Sequence, residues 1–409
     1  MIIMKQLLKF ELKKIFCRKV NLIAMAFGMF LIIFSNIAII NGESLYLGED
    51  NRVEGVDAIK QQEQIENALT SELSEEFLTN FLQEYQREIQ KNQSADEYDY
   101  SLIAAKSNLY ALIAGNYTEF NDQWEWKDLN YISTDHGIGF YERRMEKIKT
   151  LLNADYSYGN YTDSEKDYWI QKAEAIKIPF TWGSRDTWDR IWDSISLLFY
   201  QFFVISICLA PVFAGEYQNR TAALILSAKH GKTKLIYAKT MASFIFTSFD
   251  IVLCSIVSIG INICMLGTGG WDLPVQLWNT IIPYQLTVIE ACALNLLVLL
   301  LISFSLTAVS LMLSALFKSQ LITLAVGMLL YYGTVFLPFS KTSGLWNHIK
   351  YLLPINSVEF KNVLKTYNSY QIGNLTISYL WMIIIVYILI TIICLCCTGR
   401  SFRKHQIGR

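Results

Sequence analysis

The sequence predicts an all-α polytopic membrane protein. It has six transmembrane helices, an amphipathic helix ahead of the first, and a mainly helical polar domain between the first and second. Three observations carry this. Hydrophobic residues make up 53% of the 409 positions and charged ones 17%, where an average soluble domain has roughly 25% charged. The deficit falls in runs long enough for a hydrocarbon layer about 30 Å thick, and these runs lack the two-residue alternation of lipid-facing barrel strands. The charges are also segregated. Between Gly42 and Asp193 lie 30 of the 36 acidic residues but 15 of the 35 basic ones, so that segment is acidic and the remainder basic.

Residues 1–19 read as a basic amphipathic helix. Spans follow at 20–40, 195–214, 241–265, 286–316, 321–337 and 377–397, and a basic tail at 398–409. The first run is too long for the apolar core of a signal peptide and no small-residue cleavage site follows it, so it reads as a retained span. Orientation comes from the basic residues. Lys5, Lys9, Lys13, Lys14, Arg18 and Lys19 precede the first span against a lone Glu11. Arg220, Lys229, Lys232, Lys234 and Lys239 follow the second, Lys318 joins the fourth to the fifth, and Arg400, Arg403, Lys404 and Arg409 end the chain. Six spans put all of them on one side, which is the cytoplasmic side. Segment 41–194 is then extracellular, with Trp182, Trp188 and Trp192 approaching the second span as an aromatic belt.

Within 41–194, Ile65, Leu69, Leu73, Phe77, Phe81, Tyr85 and Ile89 recur every four residues and predict one long helix. Shorter helices are expected at 141–153 and 164–176, after the aromatic, irregular YTEFNDQWEWKDLNYIS (117–133). Those aromatics read either as core or as a surface for an amphipathic ligand. The acidic excess would steer cationic partners toward the domain, or simply keep it soluble. All eight cysteines lie in or beside apolar runs as small filler, with acylation of Cys394, Cys396 and Cys397 an alternative. The acidic domain has none, so it folds without disulfides.

Enzyme and metal signatures are missing from the sequence. HGKT (230–233) ends like a phosphate-binding loop, but Leu226 occupies the position of the required glycine. The four histidines are scattered without ligand spacing, and no nucleophile elbow or zinc-protease helix occurs. No catalytic residue, bound cofactor, metal or nucleic-acid partner is expected. NYT at 116–118 and 160–162 matches a glycosylation acceptor that matters only in a eukaryote. Two acids fall inside spans, Asp250 near mid-depth and Glu290 in the outer part of the fourth. Intramembrane carboxylates usually face a cavity or a partner. Asp250, Glu290 and Asn295 are therefore candidates for a substrate or ion path. The plainer readings are a contact of Asp250 with the Asn262 or Asn295 amide, and a Glu290 that reaches the interface.

The polar segment 215–240, which overlaps AGEYQNRTAALILSAKHGKTKLIYAK (214–239), separates the second and third spans. Thr221, Leu224, Ile225 and Ala228 give one apolar helical face. Glu216 lies ahead of it, where a helix dipole favours an acid, and Lys229, Lys232 and Lys234 lie after it, where cations are favoured. Gly231 offers a stop. The segment either docks on another chain or rests on the anionic inner leaflet.

This layout resembles the membrane subunit of a type-2 ABC exporter, the permease class shared with the ABCG transporters, in its bacterial branch with a large extracellular domain after the first span. KQLLKFELKKIFCRK (5–19) is similar to the family's elbow helix, with Phe10, Lys13, Lys14 and Phe16 as its matching residues. EYQNRTAALILSAKHGKTKLIYAK (216–239) is similar to its coupling segment, although Ala228 and Lys229 occupy the place where a proline is common. The resemblance implies that ATPase coupling falls to Glu216, Tyr217, Arg220, Thr221, Leu224 and Ile225. It implies a permease in the bacterial cell membrane with both termini cytoplasmic, paired with a second permease chain as a homo- or heterodimer. Two separate ATPase subunits would bind ATP and Mg. The substrate class would be amphipathic: an antimicrobial peptide, a toxin or a lipid-like compound. Alternatives are a cation (sodium) extrusion permease of the same family and a peptide-sensing receptor.

Overall fold

The structure is a computed structural model that describes residues 2–47, 52–92, 106–118, 126–227, 231, 233–373 and 375–404. Helix α1 (Ile2–Phe16) runs to a turn at Cys17 and leads into α2 (Lys19–Gly42). The α1 helix does not stand apart. It packs along the third span-length helix, where Phe16 meets the Phe246 and Phe249 rings edge-on, each at 5.3 Å.

After α2 a short hairpin, β1 (Ser44–Tyr46) with β2 (Arg52–Glu54), opens the large insertion. Helices α3 (Gly55–Ala68) and α4 (Glu75–Asn92) follow. The single helix expected from Ile65 to Ile89 is thus two helices, separated by β3 (Ser71–Glu72), which pairs antiparallel with β4 (Thr181–Trp182). Two physical reasons apply. A strict four-residue repeat gains about 40° per step on a helix of 3.6 residues per turn, so the stripe winds off one face. Ser74 also starts a new helix, its Oγ accepting the Phe77 amide at 3.2 Å.

The insertion continues with α5 (Ser107–Tyr117), α6 (Phe140–Asn153) and α7 (Asp163–Glu174). Thr162 and Glu165 form a reciprocal capping box that fixes the start of α7. The α6 start is capped from another helix, since the Glu75 carboxylate accepts from the Gly139 and Phe140 amides. In the aromatic stretch, Leu129 and Ile132 are core while Tyr131 is exposed; positions 119–125 lie outside the described residues.

The second apolar run begins earlier than its hydropathy indicates. Helices α8 (Asp186–Leu197), α9 (Gln201–Leu209) and α10 (Pro211–Gln218), with a 3-10 turn at Leu198–Tyr200, make one run of 33 residues, Asp186–Gln218. Pro211 interrupts its ladder. Ser314 from a neighbouring helix repairs the gap. Its Oγ accepts the Phe213 amide at 3.0 Å and the Ala214 amide at 2.8 Å, and donates to the Ala210 carbonyl at 2.7 Å. Trp182, Trp188 and Trp192, expected as an interfacial belt, are all buried. Trp192 stands edge-on to Trp278 at 4.1 Å, so these rings join the insertion to the helix bundle instead of facing lipid.

A short helix α11 (Ala222–Ser227) precedes α12 (Lys234–Leu266), which starts seven residues before position 241. Then come α13 (Val288–Phe317) and α14 (Gln320–Tyr332), the latter extended by a 3-10 turn to Phe336. Three short helices follow, α15 (Gly344–Tyr351), α16 (Pro354–Val358) and α17 (Phe360–Lys365). The hairpin β5 (Ser369–Ile372)–β6 (Leu375–Ser378) leads to the last helix, α18 (Tyr379–Lys404).

Among the described residues five helical runs are long and apolar enough to cross a membrane: α2, Asp186–Gln218, α12, α13 and Tyr379–Arg403 within α18. The run expected at 321–337 is the shorter helix Gln320–Phe336. The second run and α13 form the interior, with 67% of their most apolar windows buried against 22% for α2. The α13 helix packs most extensively on α18. Its buried Ser303, Ser305, Thr307, Ala308, Ser310 and Ser314 are small enough to admit neighbouring backbones closely. At the second approach of this kind, Gly28 of α2 lies against α9. A Cβ there would come within 2.6 Å of Val204 Cγ2 and 2.8 Å of Gln201 Oε1.

Candidate functional site

The stretch between the second run and α12 hangs from a cluster of four charges, of which Glu11, Glu216 and Lys239 are buried and Lys14 is exposed. Lys239, in the second turn of α12, is 1% exposed. Its ammonium donates to Glu11 Oε2 of α1 at 2.9 Å, to Glu216 Oε1 of α10 at 2.9 Å and to the Val212 carbonyl at 3.0 Å. Three donors meet three acceptors, which is what a buried ammonium requires. Lys14 of α1 adds a second cation on Glu216 Oε1 at 2.8 Å and lies 3.7 Å from Glu11 Oε1. Two acids and two bases balance. Three helices far apart in sequence are thereby joined at one point.

Thr221 ties α11 to the same carboxylate. Its hydroxyl donates to Glu216 Oε2 and lies 3.2 Å from the Glu216 backbone carbonyl. Glu216 therefore does not act on the α11 dipole from in front, as its position in sequence suggested. It lies in the last turn of α10, and its side chain is the common acceptor of the junction. Between them Arg220 adopts a left-handed conformation, φ 57°, which turns the chain from α10 into α11. The Arg220 side chain is exposed and Leu224 is 73% exposed. The side chain of Ile225 and all of Ala228, Lys229 and Lys232 lie outside the described residues, so the four-residue apolar face is described at Thr221 and Leu224 only.

The opposite side of the junction is aromatic. Phe402 of α18 is fully buried, 4.9 Å from the Phe213 ring and 5.9 Å from the Tyr217 ring. Next to the charges a cavity of about 310 Å³ is bordered by α1, α10 and Gln320, whose Oε1 accepts Arg18 Nη2 at 2.9 Å. On α1, Phe10 and Lys13 are exposed, Lys14 lies 4.9 Å over the Phe10 ring, and Phe16 is packed as described. The structure thus brings Lys14, Glu216 and Thr221 together and leaves Phe10, Lys13, Arg220 and Leu224 on the surface around them. Glu11, Lys239, Gln320 and Phe402 belong to the same junction and were not singled out as site residues from sequence. A lone acid among six bases was the available signal for Glu11.

The three path candidates are not brought together by any hydrogen bond among the described residues. Asp250 is buried in α12 and its Oδ2 has no hydrogen-bond partner there; both amide atoms of Asn295 are likewise unpartnered. Asn262 does not serve Asp250. It donates to Asn36 Oδ1 at 2.8 Å, and Asn36 donates to Ser258 at 3.0 Å, so these polar groups join α2 to α12. Glu290 sits in the first turn of α13, where its carboxylate accepts the Thr287 amide at 2.8 Å in a capping box. That cap accounts for Glu290 without a path.

A helical bundle with five runs long and apolar enough to cross a membrane, interrupted by a large polar insertion, defines a multi-pass membrane protein. Residues 164–407 match the family described as a protein of unknown function, DUF2705, and the chain belongs to that family. The matched region holds every span-length helix except α2. No curated protein and no solved structure matches the chain.

Proposed function

We propose that the chain is the membrane-spanning permease subunit of an ATP-driven exporter of the type-2 ABC class, with α11 as the element that docks on a separate ATPase subunit. In this reading Gln320–Phe336 is the fifth of six spans, the termini and α11 are cytoplasmic, and the insertion is extracellular. Two permease chains and two ATPase subunits form the working assembly, and ATP and Mg bind on the ATPases. The cargo is amphipathic.

The observation that carries the reading is the Glu11–Lys239–Glu216–Lys14 junction with Thr221. A docking element has to pass force to the spans. The α11 helix is hung by Thr221 from a carboxylate that also holds α1 and the start of α12, and it presents Leu224 outward. A segment lying passively on a leaflet needs no such anchor. Purification in mild detergent tests the reading: an ATPase subunit should travel with the chain, and Leu224→Asp should remove it while leaving membrane insertion intact. Recovery of the chain without any ATPase would overturn it.

The unpartnered Asp250 carboxylate favours cation extrusion as the second reading within the same class. Asp250→Asn should then abolish sodium efflux from proteoliposomes without loss of assembly. Unchanged efflux would remove Asp250 from the mechanism.

A further inference from the structure

A cavity lies where the insertion meets the connection between α12 and α13 and the ends of α15 and α17, away from the charged junction. It measures about 550 Å³, within the usual range for small-molecule sites. Helices α5 and α6, the connection between α12 and α13, and the segment after α17 enclose it. Its charge is opposite to that of the acidic segment that supplies one side of it. The ionisable charges lining it are Lys147, Arg185 and Lys365, and among the described residues no Asp or Glu lines it. Lys147 and Arg185 come from a segment whose acids outnumber its bases two to one, and Lys365 comes from outside it.

Those cations are poorly neutralised. The Lys147 ammonium donates to the backbone carbonyls of Gly115 and of Thr118, the latter at 3.1 Å, and forms no ion pair among the described residues. Burial pushes its pKa down, as expected for an ammonium without a counter-ion. Lys365 also has no ion pair among the described residues. Arg185 lies 3.2 Å from Asp189, but that carboxylate is shared with Lys361 at 3.1 Å, and Arg185 Nη1 has no hydrogen-bond partner there. The remaining wall is aromatic. Tyr156 stacks on Tyr158 at 5.2 Å and meets Tyr161 edge-on at 6.0 Å, with Tyr351, Tyr367 and Trp278 completing it. Cations without carboxylates, next to stacked rings, form a site for an anionic head group on a flat or apolar body.

The geometry points to a binding site at the border of the insertion for an amphipathic anion, its phosphate, sulfate or carboxylate group held by Lys147 and Lys365 and its body against the tyrosine wall. This inference does not depend on the exporter reading, and it reverses the cationic ligand expected from the acidic composition.

The test uses the full-length protein in phosphatidylcholine nanodiscs, with 1-naphthyl phosphate and 1-naphthylmethylammonium as fluorescent probes of like body and opposite charge. Naphthyl phosphate should bind at least tenfold more tightly than the amine. Lys147→Met should weaken it at least tenfold and Lys365→Met several-fold, Lys147→Arg should retain it, and Lys149→Met on the exposed side of α6 should leave it unchanged. Nanodiscs containing phosphatidylglycerol separate two sources of the anion. Loss of probe binding there assigns the site to an anionic lipid, and unchanged binding assigns it to a free solute. Equal binding of the two probes, absence of naphthyl phosphate binding, or full affinity in both Lys147→Met and Lys365→Met would overturn the site. None of these readouts involves an ATPase, so failure here and failure of the exporter reading are distinct results.

Discussion

Lys239 and Glu11 meet at 2.9 Å although 228 residues separate them, and both side chains are shut away from solvent. Burying an ion pair gains little over packed apolar residues, but removing one partner leaves the other charge stranded. Lys239→Met strands the buried Glu11 Oε2 and leaves Glu216 to Lys14 and Thr221. It should cost about 3–5 kcal/mol, read as a lower midpoint of thermal aggregation in detergent. Adding Glu11→Gln should restore much of the loss. A double variant no more stable than Lys239→Met would show that the charges are not what holds the junction.

Arg220 separates backbone from side chain in the docking role proposed for α11. A non-glycine residue in the left-handed region is disfavoured by about 1–2 kcal/mol, so Arg220→Gly should hold or raise stability while deleting the guanidinium. Under the proposed exporter reading, loss of substrate-stimulated ATP hydrolysis by the partner ATPase in a stable Arg220→Gly protein assigns the docking role to the side chain; retained stimulation assigns it to the turn.

Gly28 is a packing constraint of the bundle. Because a Cβ there would overlap Val204 and Gln201, Gly28→Ala should destabilise by about 1–3 kcal/mol through overpacking. The partner change Val204→Ala should recover part of it. Additive losses in the double variant would place the clash elsewhere.

Ser314 tests the break at Pro211. Ser314→Ala removes an acceptor from the Phe213 and Ala214 amides and a donor to the Ala210 carbonyl. The expected cost is about 1–3 kcal/mol for the buried groups left open. Hydrogen exchange should rise at Phe213 and Ala214 in particular, while uniform protection across α10 would contradict the repair.

Anion binding at the border of the insertion should depend on pH through Lys147. Its pKa is lowered by burial, so its positive charge is lost at a lower pH than an ordinary lysine's, and naphthyl phosphate affinity should fall as pH rises through that value. Burial moves the surrounding hydroxyls the other way, Tyr156 to about 12 and Tyr158, Tyr161, Tyr351 and Tyr367 also upward. They therefore stay neutral over the same interval. Lys147→Arg should flatten the profile, because a guanidinium does not discharge there. An unchanged slope in that variant would exclude Lys147 as the titrating group.

The spans were legible wherever membrane length alone decides. Hydropathy located α2, α13 and α18 to within a few residues except at the end of α18, because apolar side chains there face lipid or the bundle alike. It failed where a charge is buried. The third span begins at Lys234, since Lys239 is neutralised by acids from α1 and α10, and no window along the chain can register partners that distant. Glu216 was legible as a residue of interest, but its partners were not. The same limit explains Trp182, Trp188 and Trp192, whose sequence position near a span start is shared by belt and core residues. The break between α3 and α4 had a local signal in Ser74, which the stronger four-residue apolar repeat masked. The cavity at the border of the insertion was hidden because its sign comes from which side chains face inward, and composition reports only the sum.

That reversal of sign has a kinetic consequence. The net acidic charge of segment 42–193 repels an anion at long range, while Lys147, Arg185 and Lys365 attract it at contact. Added salt shortens the reach of that repulsion to about 10 Å at 0.1 M, while the desolvated cations inside are screened less. Association should then accelerate with ionic strength while dissociation changes little, the opposite of electrostatic steering. The acidic excess of the segment then works as a selective barrier, which favours ligands that arrive with their charge masked by a counter-ion.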